Sequence, residues 1–259
     1  MPTALVTGAS SGIGLELATL LARDRNDLVL VARGRDRLDA VARGLTEGFG
    51  VRATALAADL ARPETPGEIT RELFARAVTV DLLVNNAGVG LHGPFAAMPL
   101  EKVLEMIQVN VTALTHLTGL LLPGMLERRR GRILNVASTG AFQAGPLVAV
   151  YYATKAYVLS FSEALGNETT GTGVTVTALC PGPTRTEFQK TAGMKDATLL
   201  RGPLVMDAAT VARAGHEGML RGDRVVIPGA ANRLGVQALR MMPRRLVASL
   251  VRKVQQTRR

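Results

Sequence analysis

Short apolar runs alternate along the chain with longer segments whose apolar residues recur every three or four positions. The runs lie at 3–7, 28–32, 51–58, 82–85, 132–137, 174–179 and 224–228. Segments with helical periodicity lie between them at 15–24, 63–78, 100–126 and 151–169, and a further one ends at Phe49. Because each connection is long enough to hold a helix, successive strands are predicted to run parallel. The sequence therefore predicts a single-domain, doubly wound α/β fold (a Rossmann fold), with a seven-stranded parallel sheet and helices on both faces.

A glycine-rich turn, Gly8-Ala-Ser-Ser-Gly12-Ile-Gly14, follows the first predicted strand and leads into the first helix. Glycines at these positions permit a tight turn and let a diphosphate approach the backbone, where the first N–H groups of a helix attract an anion. Glycines also serve plain turns, and the spacing differs from the dinucleotide fingerprint G-x-G-x-x-G. The position directly between a strand and a helix nevertheless favours nucleotide binding.

Three groups that can handle a proton recur at fixed spacing further along the chain. Tyr151 and Lys155 are four residues apart and share one helix face, and Ser138 follows an apolar run. A free phenol has a pKa of about 10, so it needs a positive neighbour such as Lys155 to act near neutral pH. Ser138 can donate a hydrogen bond to a substrate oxygen. We interpret the set as moving the proton that accompanies a hydride. Tyr152 points about 100° away around the helix and is predicted to pack.

Several motifs together resemble the short-chain dehydrogenase/reductase family. They are TGASSGIG, NNAG at 85–88, Asn110, Ser138, YxxxK at 151–155 and Pro181-Gly182, and the resemblance spans roughly residues 3–228. It implies an NAD(P)-dependent oxidoreductase in which Asn110 joins Ser138, Tyr151 and Lys155 as a catalytic residue by anchoring a water that relays protons. An asparagine that bonds the backbone within a long helix is the structural alternative for Asn110.

The same resemblance implies a set of cofactor contacts. Lys155 would hold the nicotinamide ribose, Asp59 the adenine, and Thr186 the carboxamide. The complete expected set is Gly8, Ser10, Ser11, Gly12, Ile13, Gly14, Arg33, Asp59, Leu60, Asn86, Ala87, Gly88, Lys155, Pro181, Gly182, Thr184 and Thr186.

The end of the second strand bears on which dinucleotide binds. An acid there would bond a ribose 2′-hydroxyl, whereas this chain has Arg33, with Arg35 and Arg37 close behind. One charge-assisted hydrogen bond to phosphate, about 1.5–3 kcal/mol, would favour NADP(H) over NAD(H) roughly tenfold or more. For Arg35 and Arg37, a solvated helix start is an equally open interpretation.

Composition narrows the partners and the compartment. Of the 31 Lys and Arg residues nine lie between Arg224 and Arg259, where none of the 21 Asp and Glu residues lies, so the rest of the chain is nearly neutral. With 3% aromatic residues and no reader motif, we expect no nucleic-acid partner. Cys180 is the single cysteine, the three histidines have no metal-ligand spacing, and no export or membrane-spanning signal is visible. We therefore expect a cytoplasmic protein without a metal.

The C-terminal part divides into a candidate lid and a basic tail. We predict a dinucleotide-binding catalytic domain at 1–229, with a candidate substrate lid at 187–206 for which an ordinary surface connection is the alternative. Residues 230–259 are predicted to be a basic amphipathic helical extension. Its apolar arc comprises Leu246, Val247, Leu250, Val251 and Val254, and its basic side comprises Arg245, Arg252, Lys253 and Arg259. Docking on the body or on a second subunit, and contact with an anionic membrane through 244–259, both remain open.

The function expected from these observations is an NADP-dependent carbonyl reductase or alcohol dehydrogenase. Apolar residues of the lid, with Phe142, favour an apolar ketone or acyl-chain carbonyl as the small-molecule substrate. A dinucleotide-binding sensor or scaffold that acts through its basic tail is the alternative. The family resemblance also implies a homodimer or homotetramer formed through 100–126 and 151–169.

Overall fold

Seven parallel strands form the central sheet, and each overlaps one of the apolar runs in the sequence. The computed structural model describes residues 1–188, 192–193 and 205–255. The strands of the sheet are β1 (Thr3–Thr7), β2 (Asp27–Ala32), β3 (Ala53–Ala57), β4 (Leu82–Asn85), β5 (Gly131–Val136), β6 (Val174–Leu179) and β9 (Val225–Val226), and their spatial order is β3-β2-β1-β4-β5-β6-β9. Every neighbouring pair is parallel. The predicted doubly wound fold is confirmed.

Helices cover both faces of the sheet because the central strands are apolar on both sides. The α-helices are α1 (Gly12–Arg23), α2 (Arg35–Phe49), α3 (Thr65–Ala75), α4 (Leu100–Ile107), α5 (Leu114–Glu127), α6 (Ala149–Glu168), α7 (Ala208–Arg221), α8 (Ala230–Met241) and α9 (Arg244–Gln255). One core layer holds Leu17 of α1, Leu38 of α2 and Val211 of α7. The other layer includes Ile69 of α3 and Leu117 of α5.

The long predicted helix at 100–126 contains a feature that its periodicity did not indicate. A π-helical segment, Gln108–Ala113, joins α4 to α5 without a break. Such wide turns interrupt the regular hydrogen-bond ladder and are frequent at functional sites. No residue type marks them in a sequence, and this one places Asn110 at its centre.

The combined helix Leu100–Glu127 is long and apolar enough to cross a membrane by length and composition alone. It has 28 residues. Its most apolar stretch has a mean hydropathy of 1.3, and 39% of that stretch is buried in the protein. Core helices of globular proteins share these properties, so this is weak evidence.

The side of β1 on which new strands are added to the sheet reverses at β4. The strands that follow β1 in sequence, β2 and β3, lie on one side of it, and β4 lies on the other. The connections leaving the carboxyl ends of β1 and β4 therefore diverge and leave a crevice, which is where open α/β sheets bind ligands.

A second, two-stranded parallel ladder forms the base of the candidate lid. Its strands, β7 (Thr184–Arg185) and β8 (Met206–Asp207), pair in register, and the Met206 N–H donates to the Pro183 carbonyl at 2.9 Å. The two ends of the candidate lid are therefore held side by side. Most of the predicted lid, 189–191 and 194–204, lies outside the described residues.

Candidate active site

The glycine turn after β1 has the backbone geometry that its sequence suggested. Gly8 and Gly12 have φ angles of +66° and +55°, which side chains disfavour. A Cβ at Gly8 would lie 2.7 Å from the Asn86 side-chain nitrogen, and one at Gly14 would collide with the Gly8 carbonyl. Glycine is therefore required both for the turn and for the close approach of α1 to it.

Thr7 and Asn86 tie this turn to the end of β4. The Thr7 hydroxyl accepts from the backbone N–H groups of Asn86 and Ala87, each at 3.0 Å, and donates to the Val84 carbonyl at 3.3 Å. The Asn86 carboxamide donates to the carbonyls of Thr7 at 2.9 Å and Gly8 at 3.2 Å. These bonds hold the two sides of the crevice together. Sequence reasoning did not single out Thr7, although its place directly before Gly8 was a signal.

The N-terminus of α1 opens toward this crevice. Ser11 is the N-cap residue, with extended backbone, and its side chain makes no capping hydrogen bond within the described part of the chain. The first N–H groups of α1 are therefore not satisfied by a cap, as a site for a phosphate anion requires. Ser10, Ser11 and Ile13 all line the cavity in front of it.

Charged residues surround the far end of the cavity. Arg33 and Arg37 line it, together with Lys102 and Glu105 of α4. The Arg33 side chain is 65% exposed and lies 3.9 Å from a Glu105 oxygen. Arg37 pairs with Glu187 at 2.8 Å, and Lys102 with Glu105 at 2.7 Å. The position of Lys102 and Glu105 was not foreseen, since only the fold brings α4 beside the end of β2.

Asp59 and Leu60 lie on the neighbouring wall. Asp59 accepts from the Ala61 N–H at 3.0 Å through Oδ1, and its carbonyl accepts from the Thr65 hydroxyl at 2.7 Å. Leu60 is 7% exposed and, with Val109 of the π-helical segment, lines the cavity. The result is a flat apolar slot with one fixed carboxylate at its edge.

Ser138, Tyr151 and Lys155 converge in the middle of the same cavity. The Ser138 Oγ accepts from the Gly140 N–H at 3.0 Å, which leaves its hydroxyl proton available beside Tyr151. The Lys155 ammonium donates to the Val136 carbonyl at 2.7 Å and lies 5.8 Å from the centre of the Tyr151 ring. The Tyr151 ring packs on Phe188 at 5.3 Å between centres. The neighbouring Tyr152 is buried, as predicted for a packing residue.

Burial shifts the pKa values of both groups on α6. It raises the pKa of Tyr151 well above the ordinary phenol value, an effect that the Ser138 hydrogen bond partly opposes. It lowers the pKa of Lys155 to about 8. The surroundings thus favour a neutral phenol beside a lysine that can change charge near physiological pH.

Asn110 has a side chain that is fully used by neighbouring elements. Its Oδ1 accepts from the Val89 N–H at 2.9 Å, and its Nδ2 donates to the Val89 carbonyl at 2.9 Å and to the Thr154 hydroxyl at 3.0 Å. It thereby links the loop after β4 to α6. A Cβ on Gly88 would lie 3.4 Å from both Asn110 Oδ1 and the Lys155 nitrogen. Asn110 and Gly14 are the two predicted residues that do not line the cavity.

The Pro181-Gly182 turn forms the opposite edge. The Pro181 carbonyl accepts from the Thr139 N–H at 2.8 Å, which fixes this turn beside Ser138. The Thr184 hydroxyl donates to the Gly182 carbonyl at 2.9 Å. Thr186 lies so near the glycine turn that a Cβ on Gly12 would be 3.1 Å from its methyl group. The segment that follows the PG motif therefore lies against the glycine turn at the edge of the cavity.

The C-terminal helix α9 closes one side of the cavity, a feature that the sequence left open. Val247 and Val251 are buried and pack with Val148 and Tyr152. Leu246 and Leu250 of the same arc are exposed, as are Arg245, Arg252 and Lys253. The Val254 side chain and Arg259 lie outside the described residues. In the structure, this helix of the tail therefore packs on the body of the protein, one of the arrangements that the sequence left open.

The cavity enclosed by these elements has a volume of about 910 Å³. This is near the upper end of the range of about 300–1,000 Å³ typical of ligand sites. It runs from the charged end near Arg33, past the N-terminus of α1, to Tyr151. A glycine turn at the switch point of a doubly wound sheet, with a serine, a tyrosine and a lysine beside it, defines a dinucleotide-binding oxidoreductase site.

Comparisons with known proteins show to which family of oxidoreductases the chain belongs. A model of the family described as short chain dehydrogenase matches residues 2–197. The very-long-chain 3-oxoacyl-CoA reductase of Phaeosphaeria nodorum is 34% identical over 219 residues, 83% of this chain and 64% of that protein. A putative ketoacyl reductase of Streptomyces coelicolor is 40% identical over 181 residues, 69% of each chain.

A solved structure is similar over the full length. The short-chain dehydrogenase from Sphingobium yanoikuyae in complex with NADPH has a TM-score of 0.83 and 35% identity, and the similarity covers 100% of this chain and 98% of that one. The chain thus belongs to the short-chain dehydrogenase family, a family of oxidoreductases, as its motifs predicted. It spans less than two thirds of the length of the first curated relative.

Proposed function

We propose that this protein is an NADP(H)-dependent reductase that converts the ketone of an acyl chain to an alcohol, or catalyses the reverse oxidation. The observation that carries the proposal is the convergence of Ser138, Tyr151 and Lys155 in the cavity that also contains the glycine turn. The two ketoacyl reductases described above support the substrate class. The sensor or scaffold alternative does not require this set of groups.

The residues of the crevice fit a dinucleotide. The N-terminus of α1 and the glycine turn would hold its diphosphate, because both line the cavity and Ser11 makes no capping hydrogen bond within the described part of the chain. Asp59 and Leu60 would flank the adenine, and Arg33 would bond a 2′-phosphate. When bound, the reduced nicotinamide supplies a hydride to the carbonyl carbon.

The protein's own groups supply the proton. Tyr151 is the proton donor, because burial keeps its phenol neutral and therefore able to give a proton to a developing alkoxide. Ser138 hydrogen-bonds the same oxygen, since its acceptor side is occupied by the Gly140 N–H. Lys155, held by the Val136 carbonyl, favours the phenolate that results.

Asn110 would act through position. Its side-chain bonds fix the backbone at Val89 and the helix that carries Tyr151, so the π-helical segment sets the distance between the two walls of the site. A water relay, which the family resemblance implies, would then use the backbone of this segment.

Substitution of the phenol tests the function. Tyr151→Phe removes the proton donor, and a loss in kcat of about a hundredfold or more is expected, because general acid catalysis contributes roughly 10²–10⁴-fold. NADPH binding, followed by fluorescence titration, should stay within about twofold, since the ring is retained.

Tyr157→Phe is the matched control on the same helix. Tyr157 is 40% exposed and its hydroxyl pairs with Thr115 at 3.0 Å, away from the cavity. Its substitution should leave turnover of an acetoacetyl thioester unchanged. Substantial kcat in Tyr151→Phe would refute the assigned role.

We also propose a homodimer formed through the helix pair of 100–127 and 149–168. Leu100, Leu104, Ile107, Leu120 and Tyr157 are between 37% and 61% exposed along these helices. A cluster of exposed apolar side chains of this kind is typical of a protein interface.

A further inference from the structure

The apolar stripe of α9 ends in a polar residue. Val247 and Val251 are one helical turn apart and are buried against the body, with 5% and 7% of their surface exposed. The next position of the same stripe is Gln255, which is 1% exposed and lines the cavity beside Tyr151 and Ser138. The helix thus brings a polar side chain to the wall of the site.

Gln255 is held on two sides. Its Nε2 donates to the Tyr152 hydroxyl at 3.0 Å. Its backbone carbonyl accepts from His92 Nε2 at 2.9 Å, which anchors the end of α9 to the loop after β4. A side chain fixed in this way has little conformational freedom left to lose when it binds a ligand.

The other end of the carboxamide has no hydrogen-bond partner among the described residues. Gln255 Oε1 is buried and accepts no hydrogen bond from the residues that the structure describes. Gln143, a second residue near Tyr152, has a buried Oε1 in the same condition. Buried acceptors without donors are rare in native proteins, and each calls for an explanation. Both of these residues lie near Tyr152, the neighbour of the proposed proton donor.

We propose that Gln255 is a specificity-determining residue of the substrate site, and that its Oε1 accepts a hydrogen bond from an N–H or O–H group of the substrate. The substrate then combines a ketone with a hydrogen-bond donor on its other arm, in addition to apolar parts that pack on residues such as Phe188. This inference rests on the proposed reductase function.

Three acetoacetyl thioesters with arms of equal length test it, because they share the reacting ketone. One arm ends in an acetamide N–H, one in a hydroxyl, and one is a plain alkyl chain. The wild type should favour a donor-bearing arm through KM, by about tenfold, which corresponds to one well-placed hydrogen bond of about 1.4 kcal/mol. Whether the amide or the hydroxyl arm shows the preference identifies the donor.

Gln255→Leu removes both polar atoms at similar size. It should raise KM for the favoured thioester about tenfold and leave its kcat and the alkyl thioester unchanged. Arg252→Gln, on the exposed side of α9, is the control and should preserve the preference. Gln255→Met keeps the unbranched length and decides the matter if the leucine variant lowers Tm or NADPH affinity.

The outcomes separate the two proposals. If the wild type reduces none of the three thioesters, the proposed function fails and this inference with it. If all three react but Gln255→Leu or Gln255→Met changes them equally, or if the wild type shows no preference, Gln255 only closes the wall and this inference alone is overturned.

Discussion

The Lys155 ammonium donates to the Val136 carbonyl at 2.7 Å and lies 5.8 Å from the centre of the Tyr151 ring. The lysine therefore bridges β5 and the proposed proton donor on α6. It is 4% exposed, and this burial lowers its pKa to about 8. The charge that is proposed to assist Tyr151 is therefore lost as pH rises past about 8.

The first prediction concerns the pH dependence of reduction. Lys155 loses its proton above pH of about 8, so kcat/KM should fall there by about tenfold per pH unit. Initial rates of NADPH consumption between about pH 6 and 10 check this, because kcat/KM reports groups of the free enzyme. A profile flat up to about pH 10 would contradict the assignment.

The same shift predicts a change in stability with the opposite trend. The native pKa is lower than that of an unfolded lysine, so the unfolded chain binds more protons between about pH 8 and 10.4. The contribution of Lys155 to the free energy of unfolding therefore rises with pH in this window and is lost as pH falls toward 8. Urea unfolding of the wild type and Lys155→Met checks this, because the free energy of unfolding of the wild type relative to the variant should rise with pH in this window.

The third prediction concerns the choice of dinucleotide. Arg33→Asp replaces a cation at the charged end of the cavity with an anion, so the ratio of kcat/KM for NADPH over NADH should drop at least tenfold. Arg35→Asp makes the same change in charge at an exposed residue that does not line the cavity. It should alter the ratio much less, and equal effects would show a general electrostatic influence instead of a specific contact.

The fourth prediction compares two buried threonines on parallel strands. Thr7→Val leaves the N–H groups of Asn86 and Ala87 without their acceptor, so the free energy of unfolding should fall by about 1–3 kcal/mol and NADPH affinity should weaken. Thr177 is fully buried, and its hydroxyl has no partner in the described part of the chain. Thr177→Val should therefore be neutral or stabilising in urea unfolding. The reverse order of stability would show that Thr7 is not what holds the crevice.

The fifth prediction concerns assembly. Leu104 is 55% exposed on the proposed dimer face, so Leu104→Arg would place an unpaired charge in the interface and give a monomer in sedimentation velocity. Phe74→Arg is the control, since Phe74 is 88% exposed on α3, a helix that is not part of the proposed face. A wild-type monomer would refute the proposal directly.

The sequence by itself determined the fold and indicated which groups the proposed reaction uses. Strand-length apolar runs separated by helix-length segments admit few arrangements other than a parallel sheet. The spacing of Tyr151 and Lys155 fixes a shared helix face through local geometry, and Gly8 is required by a backbone angle. These features depend only on residues that are close together in the chain, so they can be predicted from the sequence.

The tertiary structure alone decided what surrounds those groups. Gln255 lies 103 residues from Tyr152, and Glu105 lies 72 residues from Arg33, yet both pairs are in contact across the site. The burial that moves the pKa of Lys155, the π-helical turn at Asn110 and the docking of α9 also arise from packing between distant elements. Periodicity reports which face of an element is apolar; which partner covers that face depends on how the whole chain folds.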